Sequence, residues 1–217
     1  MGNAKDTAEE SAKFIFLSQL WIFFRASCFG IKKYRAVTNS RIKMVIWLCG
    51  LSGVGKSTIA SALFERLKII RPDTVLVDGD CIRALFEHQN ENKDYSLSAR
   101  RVSAQRIQNI CHWLDAQNIL VVAASIAMFD DINQANRDIF SQYFEVHIHA
   151  DIKTLAERDN KGLYQSALRG ERRDVLGINI PYLPPSSADL RIENSFNPAD
   201  VDEYVNRILT LVDIGRI

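Results

Sequence analysis

The chain lacks any marked charge excess: 27 Lys and Arg stand against 26 Asp and Glu, for a net charge of +1. That balance argues against a dedicated nucleic-acid binder, which carries a strong basic surplus. A disulfide framework is missing too. The four cysteines, Cys28, Cys49, Cys81 and Cys111, form no C-x-x-C pair, and a reducing cytoplasm is the expected location. No apolar run reaches the ~20 residues of a membrane span. The strongest one, FIFLSQLWIFF at 14–24, has no small-residue cleavage site after it, which sets aside a secretory signal. Asp6 stands where a myristoylation motif needs Ser or Thr. Internal repeats and low-complexity segments are also absent.

What remains is an ordinary globular composition, 47% hydrophobic and 24% charged over 217 residues, enough for one domain with a sizeable core. The charge is unevenly spread. Residues 1–43 hold eight basic and three acidic residues, and the rest holds 19 and 23. The first 43 residues therefore read as a separate basic and apolar extension, with the working domain at 44–217. Membrane contact, if any, is confined to 14–24 as a basic-flanked amphipathic anchor. Met44 directly precedes the first apolar strand, so a start there and a real extension both stay open. His147 and His149 share one strand face, but no carboxylate or Cys completes a ligand set, and a satisfied sheet histidine is the plainer reading.

From Met44 onward, short apolar runs alternate with amphipathic ones. Strands are expected at 44–49, 74–78, 118–125, 144–149 and 189–194. Helices are expected at 57–70, 96–117 with Ser96 or Ser98 as N-cap, 131–143, 152–159 and 198–212. Strands apolar on both faces and separated by helices mean a mostly parallel sheet covered on both sides. The expected architecture is a three-layer α/β sandwich with a five-stranded, mostly parallel sheet. Residues 162–185 show no clear periodicity, and loops of that length are usually functional or disordered.

Between the first strand and the first helix lies GLSGVGKST, comprising Gly50, Leu51, Ser52, Gly53, Val54, Gly55, Lys56, Ser57 and Thr58. It fits G-x-x-x-x-G-K-[ST] without substitution. Glycines let backbone N–H groups curl around phosphate oxygens, and the helix N-terminus adds partial positive charge. Lys56 is expected to bridge the β and γ phosphates of ATP, and the Ser57 hydroxyl to join a Mg²⁺ shell. A GTPase would need N-K-x-D, and Tyr95 occupies the Asp position of the nearest match. The second strand ends in DGDCIR (78–83), which puts Asp78 and Asp80 at the carboxyl edge where such sheets bind ligands. One carboxylate could organise Mg²⁺ and the other orient an acceptor hydroxyl; a solvated turn is the alternative. Arg83 could hold an anionic acceptor.

IWLCGLSGVGKSTIA, VDGDCIR, ERDNKGLYQSALRGE and GINIPY, taken in order, resemble adenylyl-sulfate kinases over about 44–195. The resemblance implies a P-loop nucleotide-kinase-like fold and transfer of the ATP γ-phosphate to the 3′-hydroxyl of adenylyl sulfate. It implies Asp78 and Asp80 at Mg²⁺ and the acceptor hydroxyl, Arg83 and Arg100 on anionic groups, and Tyr95 stacked on the acceptor base. It also implies Lys161 in a lid over the phosphates, with Ser103, Ile126 and Val175 on the acceptor side. The chain departs from the family there. Ser103 replaces an Asn, Ala127 replaces a Ser, Asp130 replaces an Arg, and Val175 replaces a second stacking aromatic. The donor cradle is intact. An alternative acceptor is another nucleotide conjugate such as cytidine diphosphoramidate, since a pyrimidine needs less stacking area. A non-catalytic nucleotide-binding module and a membrane-tethered interaction protein are further alternatives. The expected partner is thus a small-molecule nucleotide, with no nucleic acid; a homodimer is compatible with the sequence.

Overall fold

The computed structural model describes residues 43–86, 96–126, 128–159 and 162–213. Tyr95, Ala127, Lys161 and the apolar segment 14–24 lie outside the described residues. The order is β1 (Val45–Cys49), α1 (Lys56–Ile70), β2 (Val75–Asp78), α2 (Gly79–Phe86), α3 (Leu97–Asp115), β3 (Val121–Ser125), α4 (Asp130–Ile139), β4 (Tyr143–His149), α5 (Ile152–Glu157), α6 (Leu163–Leu168), β5 (Leu190–Glu193), a 3₁₀ turn (Pro198–Asp200) and α7 (Val201–Leu211).

The strands line up as β2-β3-β1-β4-β5, and every pair is parallel. Alternation along β1 explains the layers. Ile46 and Leu48 pack with Ile59, Leu63 and Leu67 of α1 and with Val205 and Ile208 of α7. Val45, Trp47 and Cys49 face the other way, toward Ile107, Cys111 and Leu114 of α3. All five β1 residues are buried, so both faces need an apolar cover, and burying one such side chain stabilises by about 2 kcal/mol. Successive crossovers run from β1 outward to β2, then return past it to β4. The carboxyl end of β1 is therefore the point where the winding reverses, which is where open α/β sheets bind ligands.

Several boundaries differ from expectation. Residues 79–86 form α2 rather than a simple turn, because the Asp78 carboxylate accepts from the backbone N–H groups of Asp80 and Cys81 and so opens a helix. The helix expected through 143 stops at Ile139, where Phe140 turns extended (φ −87°, ψ 145°), and Tyr143 begins β4 instead. The aperiodic stretch after Gly162 contains α6. Ser96 does cap α3, its hydroxyl accepting from the Ala99 N–H at 3.2 Å. His147 is not the satisfied histidine expected, since its buried Nε2 has no hydrogen-bond partner among the described residues. No helix of the described residues is long and apolar enough to cross a membrane.

Candidate active site

β1 delivers the chain into the glycine loop at a place where side chains do not fit. Gly50 has φ 147°, and a Cβ there would run into the Ile148 carbonyl of the neighbouring strand. Gly55 has φ 98° and sits directly before α1, its absent Cβ leaving room for the Asn194 amide. Both positions require glycine for conformation and for space. Lys56, the first residue of α1, turns its ammonium back onto the loop and donates to the Leu51 carbonyl at 2.7 Å.

Ser57, in the first turn of α1, meets Asp78, the last residue of β2. The Ser57 hydroxyl donates to Asp78 Oδ2 at 2.6 Å, while Asp78 Oδ1 accepts from the Asp80 N–H at 2.9 Å. One carboxylate thus caps α2 with one oxygen and reaches the phosphate loop with the other. Asp80, two residues on and in the first turn of α2, pairs with Arg83 at 2.6 Å. Arg100, on α3, donates to the backbone carbonyl of Asp174 at 2.7 Å. The Asp174 pKa is itself lowered by Arg172, which grips the carboxylate with two nitrogens.

These groups share one cleft of about 250 Å³. Of the residues singled out from sequence, Ser52, Gly53, Gly55, Lys56, Ser57, Thr58, Asp78, Asp80, Arg83, Arg100, Ser103 and Ile126 line it. Gly50, Leu51 and Val54 shape the loop from behind, the last two being buried. Val175 does not reach the cleft. It is 1% exposed inside the core on the α1 side of the sheet, and its carbonyl accepts the turn hydrogen bonds from Asn179 and Ile180. So enclosed, the Val175 side chain is not part of the cleft wall, contrary to the expectation that places it on the acceptor side. Asp130, in the first turn of α4, is not part of the wall either. Its neighbour Asp131 binds Arg101 with two oxygens, at 2.7 and 3.1 Å, and that guanidinium lies 4.6 Å over the Phe129 ring.

The cleft has a second wall, formed by Gly79 of the DGDCIR stretch together with Ala104, Ile107, Ala124, Ser125 and Met128. Ala104 and Ile107 follow Arg100 and Ser103 at helical spacing, which is the signal that could have found them. Three cations face two carboxylates among the lining residues (Lys56, Arg83 and Arg100 against Asp78 and Asp80). The arrangement suits anionic ligands at both ends and hard-oxygen coordination at Ser57 and Asp78.

A parallel sheet wound this way, with a glycine loop feeding a helix that begins Lys-Ser and a facing carboxylate, defines a P-loop kinase. The chain belongs to the adenylylsulphate kinase family, whose model matches residues 42–193. A cytidine diphosphoramidate kinase from Campylobacter jejuni is 37% identical over 151 residues, 70% of this chain and 86% of that one. An adenylyl-sulfate kinase from Paraburkholderia xenovorans is 37% identical over 175 residues, 80% and 95% of the two chains. Among solved structures, the Mycobacterium tuberculosis APS kinase CysC in complex with AMPPNP and APS superposes with a TM-score of 0.66 at 28% identity, covering 78% of this chain and 97% of that one.

Proposed function

We propose that the protein transfers the γ-phosphate of ATP to the 3′-hydroxyl of an anionic nucleotide, with adenylyl sulfate as the principal acceptor. One observation carries the reading: Lys56, Ser57, Asp78, Asp80, Arg83 and Arg100 line a single cleft. In this reading the loop N–H groups and Lys56 hold the donor phosphates. Asp80, already within hydrogen-bond reach of a guanidinium, orients the acceptor hydroxyl and takes its proton as the new phosphorus–oxygen bond forms and the bond from the γ-phosphorus to the departing ADP breaks. Arg83 and Arg100 hold the acceptor's anionic groups. The paired oxygens of Ser57 and Asp78 suit Mg²⁺, which when bound would offset charge on the transferring phosphoryl group. Lys161 is assigned to the lid over that group, Tyr95 to the acceptor base, and the chemistry as a whole to 44–217.

A second acceptor is supported by the wall itself. Among the described residues lining the cleft none is aromatic; the apolar ones are Ala104, Ile107, Ala124, Ile126 and Met128. Aromatic stacking on a base contributes about 1–3 kcal/mol, and a pyrimidine depends on it less than a purine. Cytidine diphosphoramidate is therefore the second reading. The test is coupled ADP release with Mg-ATP and four acceptors: adenylyl sulfate, cytidine diphosphoramidate, shikimate and gluconate. Turnover with adenylyl sulfate at the highest kcat/KM is expected. Preference for cytidine diphosphoramidate would replace the acceptor and keep the mechanism, and turnover with neither nucleotide would overturn both.

A further inference from the structure

The phosphate loop is held from behind by residues outside its motif. A trans peptide unit is planar, so the carbonyl of one residue and the N–H of the next point in opposite directions. Fixing a loop carbonyl therefore fixes the direction of the N–H that follows it. In this loop the Ser52 carbonyl accepts from the Tyr164 hydroxyl at 2.8 Å, and the Val54 carbonyl accepts from the Asn194 amide at 2.8 Å. The N–H groups that follow belong to Gly53 and Gly55, and both residues line the cleft. Glycine alone would leave these peptides free to rotate; the two side chains remove that freedom.

Both donors are themselves fixed. Tyr164, on α6, is 2% exposed, and burial followed by the charge of Asp159 pushes its hydroxyl up to about 12, so it keeps its proton. Asn194 follows β5; its own N–H donates to the His149 carbonyl at 2.8 Å and its Oδ1 accepts from the Phe196 N–H at 3.0 Å. The Phe196 ring lies 4.5 Å beneath the Arg158 guanidinium. Arg158 and Tyr164 are thus each linked to the phosphate loop, the first through Phe196 and Asn194 to Val54 and the second through its own hydroxyl to Ser52.

Resting on the reading of this loop as a donor-phosphate cradle, we infer that Tyr164 and Asn194 are positioning residues that aim the Gly53 and Gly55 N–H groups at the donor phosphates. Neither touches the nucleotide in this assignment. Their effect falls on donor affinity, and the acceptor half of the cleft is independent of them.

The experiment uses the full chain with Tyr164→Phe, which removes only the hydroxyl, and Asn194→Ala. ATP affinity is measured by calorimetry, KM values for ATP and for the acceptor by initial rates, and Tm by thermal unfolding. Each substitution is expected to weaken ATP binding and raise its KM about tenfold, with the acceptor KM unchanged within twofold and ATP affinity lost out of proportion to any change in Tm. An unchanged KM for ATP in both variants overturns the inference, as does a parallel rise in both KM values, which marks general loosening. If the unsubstituted protein binds no ATP, the donor reading beneath the inference fails instead.

Discussion

Lys56 shows how much one side chain in this cleft does. Its ammonium spans the loop to the Leu51 carbonyl and lines the cleft. It is half-buried and makes no contribution to the apolar core. Lys56→Ala should therefore lower kcat/KM for ATP by about 10³ or more, the scale for removing a charge that stabilises a transferring phosphoryl group. The fold should lose only about 1 kcal/mol, the usual net value of one hydrogen bond. Steady-state ADP release together with Tm separates the two effects; a variant as active as the parent would remove Lys56 from the mechanism. Residues of this kind were readable in the sequence because their chemistry is local: glycine at positive φ, a helix start and its lysine lie within a few positions. Val175 was not readable, because whether a side chain meets ligand or core depends on how distant segments close over it. Tyr164 and Asn194 escaped notice for the same reason, being 112 and 140 positions from the carbonyls they hold.

At the scale of elements, apolar runs identified all five strands, since a strand buried on both faces has little room for polar residues. α2 was hidden because its cap is the last residue of β2: Asp78 reads as strand, and Asp-Gly-Asp reads as turn, until the carboxylate is seen to accept from α2's first N–H groups. The turn after α6 carries an energetic consequence. Val175 and Leu176 pack in the core, and Gly177 (φ 89°) closes the turn against Ile152 and Leu51. Val175→Phe adds most of an aromatic ring to a site with no space for it. The expected cost is about 1–3 kcal/mol, a fall in Tm of several degrees for a chain of this size, with no gain in adenylyl sulfate use. Thermal unfolding and acceptor KM measured on the same variant decide it. A stable protein with lower KM for adenylyl sulfate would return Val175 to the acceptor wall.

Strand order is a property of the whole molecule, and the individual strands did not contain it; that β4 and not β2 lies beside β1 follows from the direction of each crossover. The order has a cost. Tyr143, Glu145, His147 and His149 fall on the β4 face shared with Val45, Trp47 and Cys49, a polar stripe laid against a core. Glu145 and His147 are almost fully buried. Burial, with the charges of Arg191 and His149 adding to it, holds the His147 imidazole down to about 4. An unfolded histidine titrates near 6.5, so between about pH 6.5 and 4 the unfolded chain binds the extra proton and the native state loses stability as pH falls. The loss attributable to this group approaches about 3 kcal/mol below pH 4. Glu145 acts in the opposite sense: burial raises its pKa, so acidification relieves a buried charge. A bare Tm-versus-pH curve mixes the two, and His147→Phe separates them because every carboxylate is common to both proteins. The unsubstituted protein should lose roughly 5–10 °C more than the variant between pH 7 and 4, from about 3 kcal/mol at a few degrees per kcal/mol. Parallel curves would mean that His147 takes up its proton equally in the folded and unfolded chain, and that burial of its Nε2 does not hold the imidazole neutral.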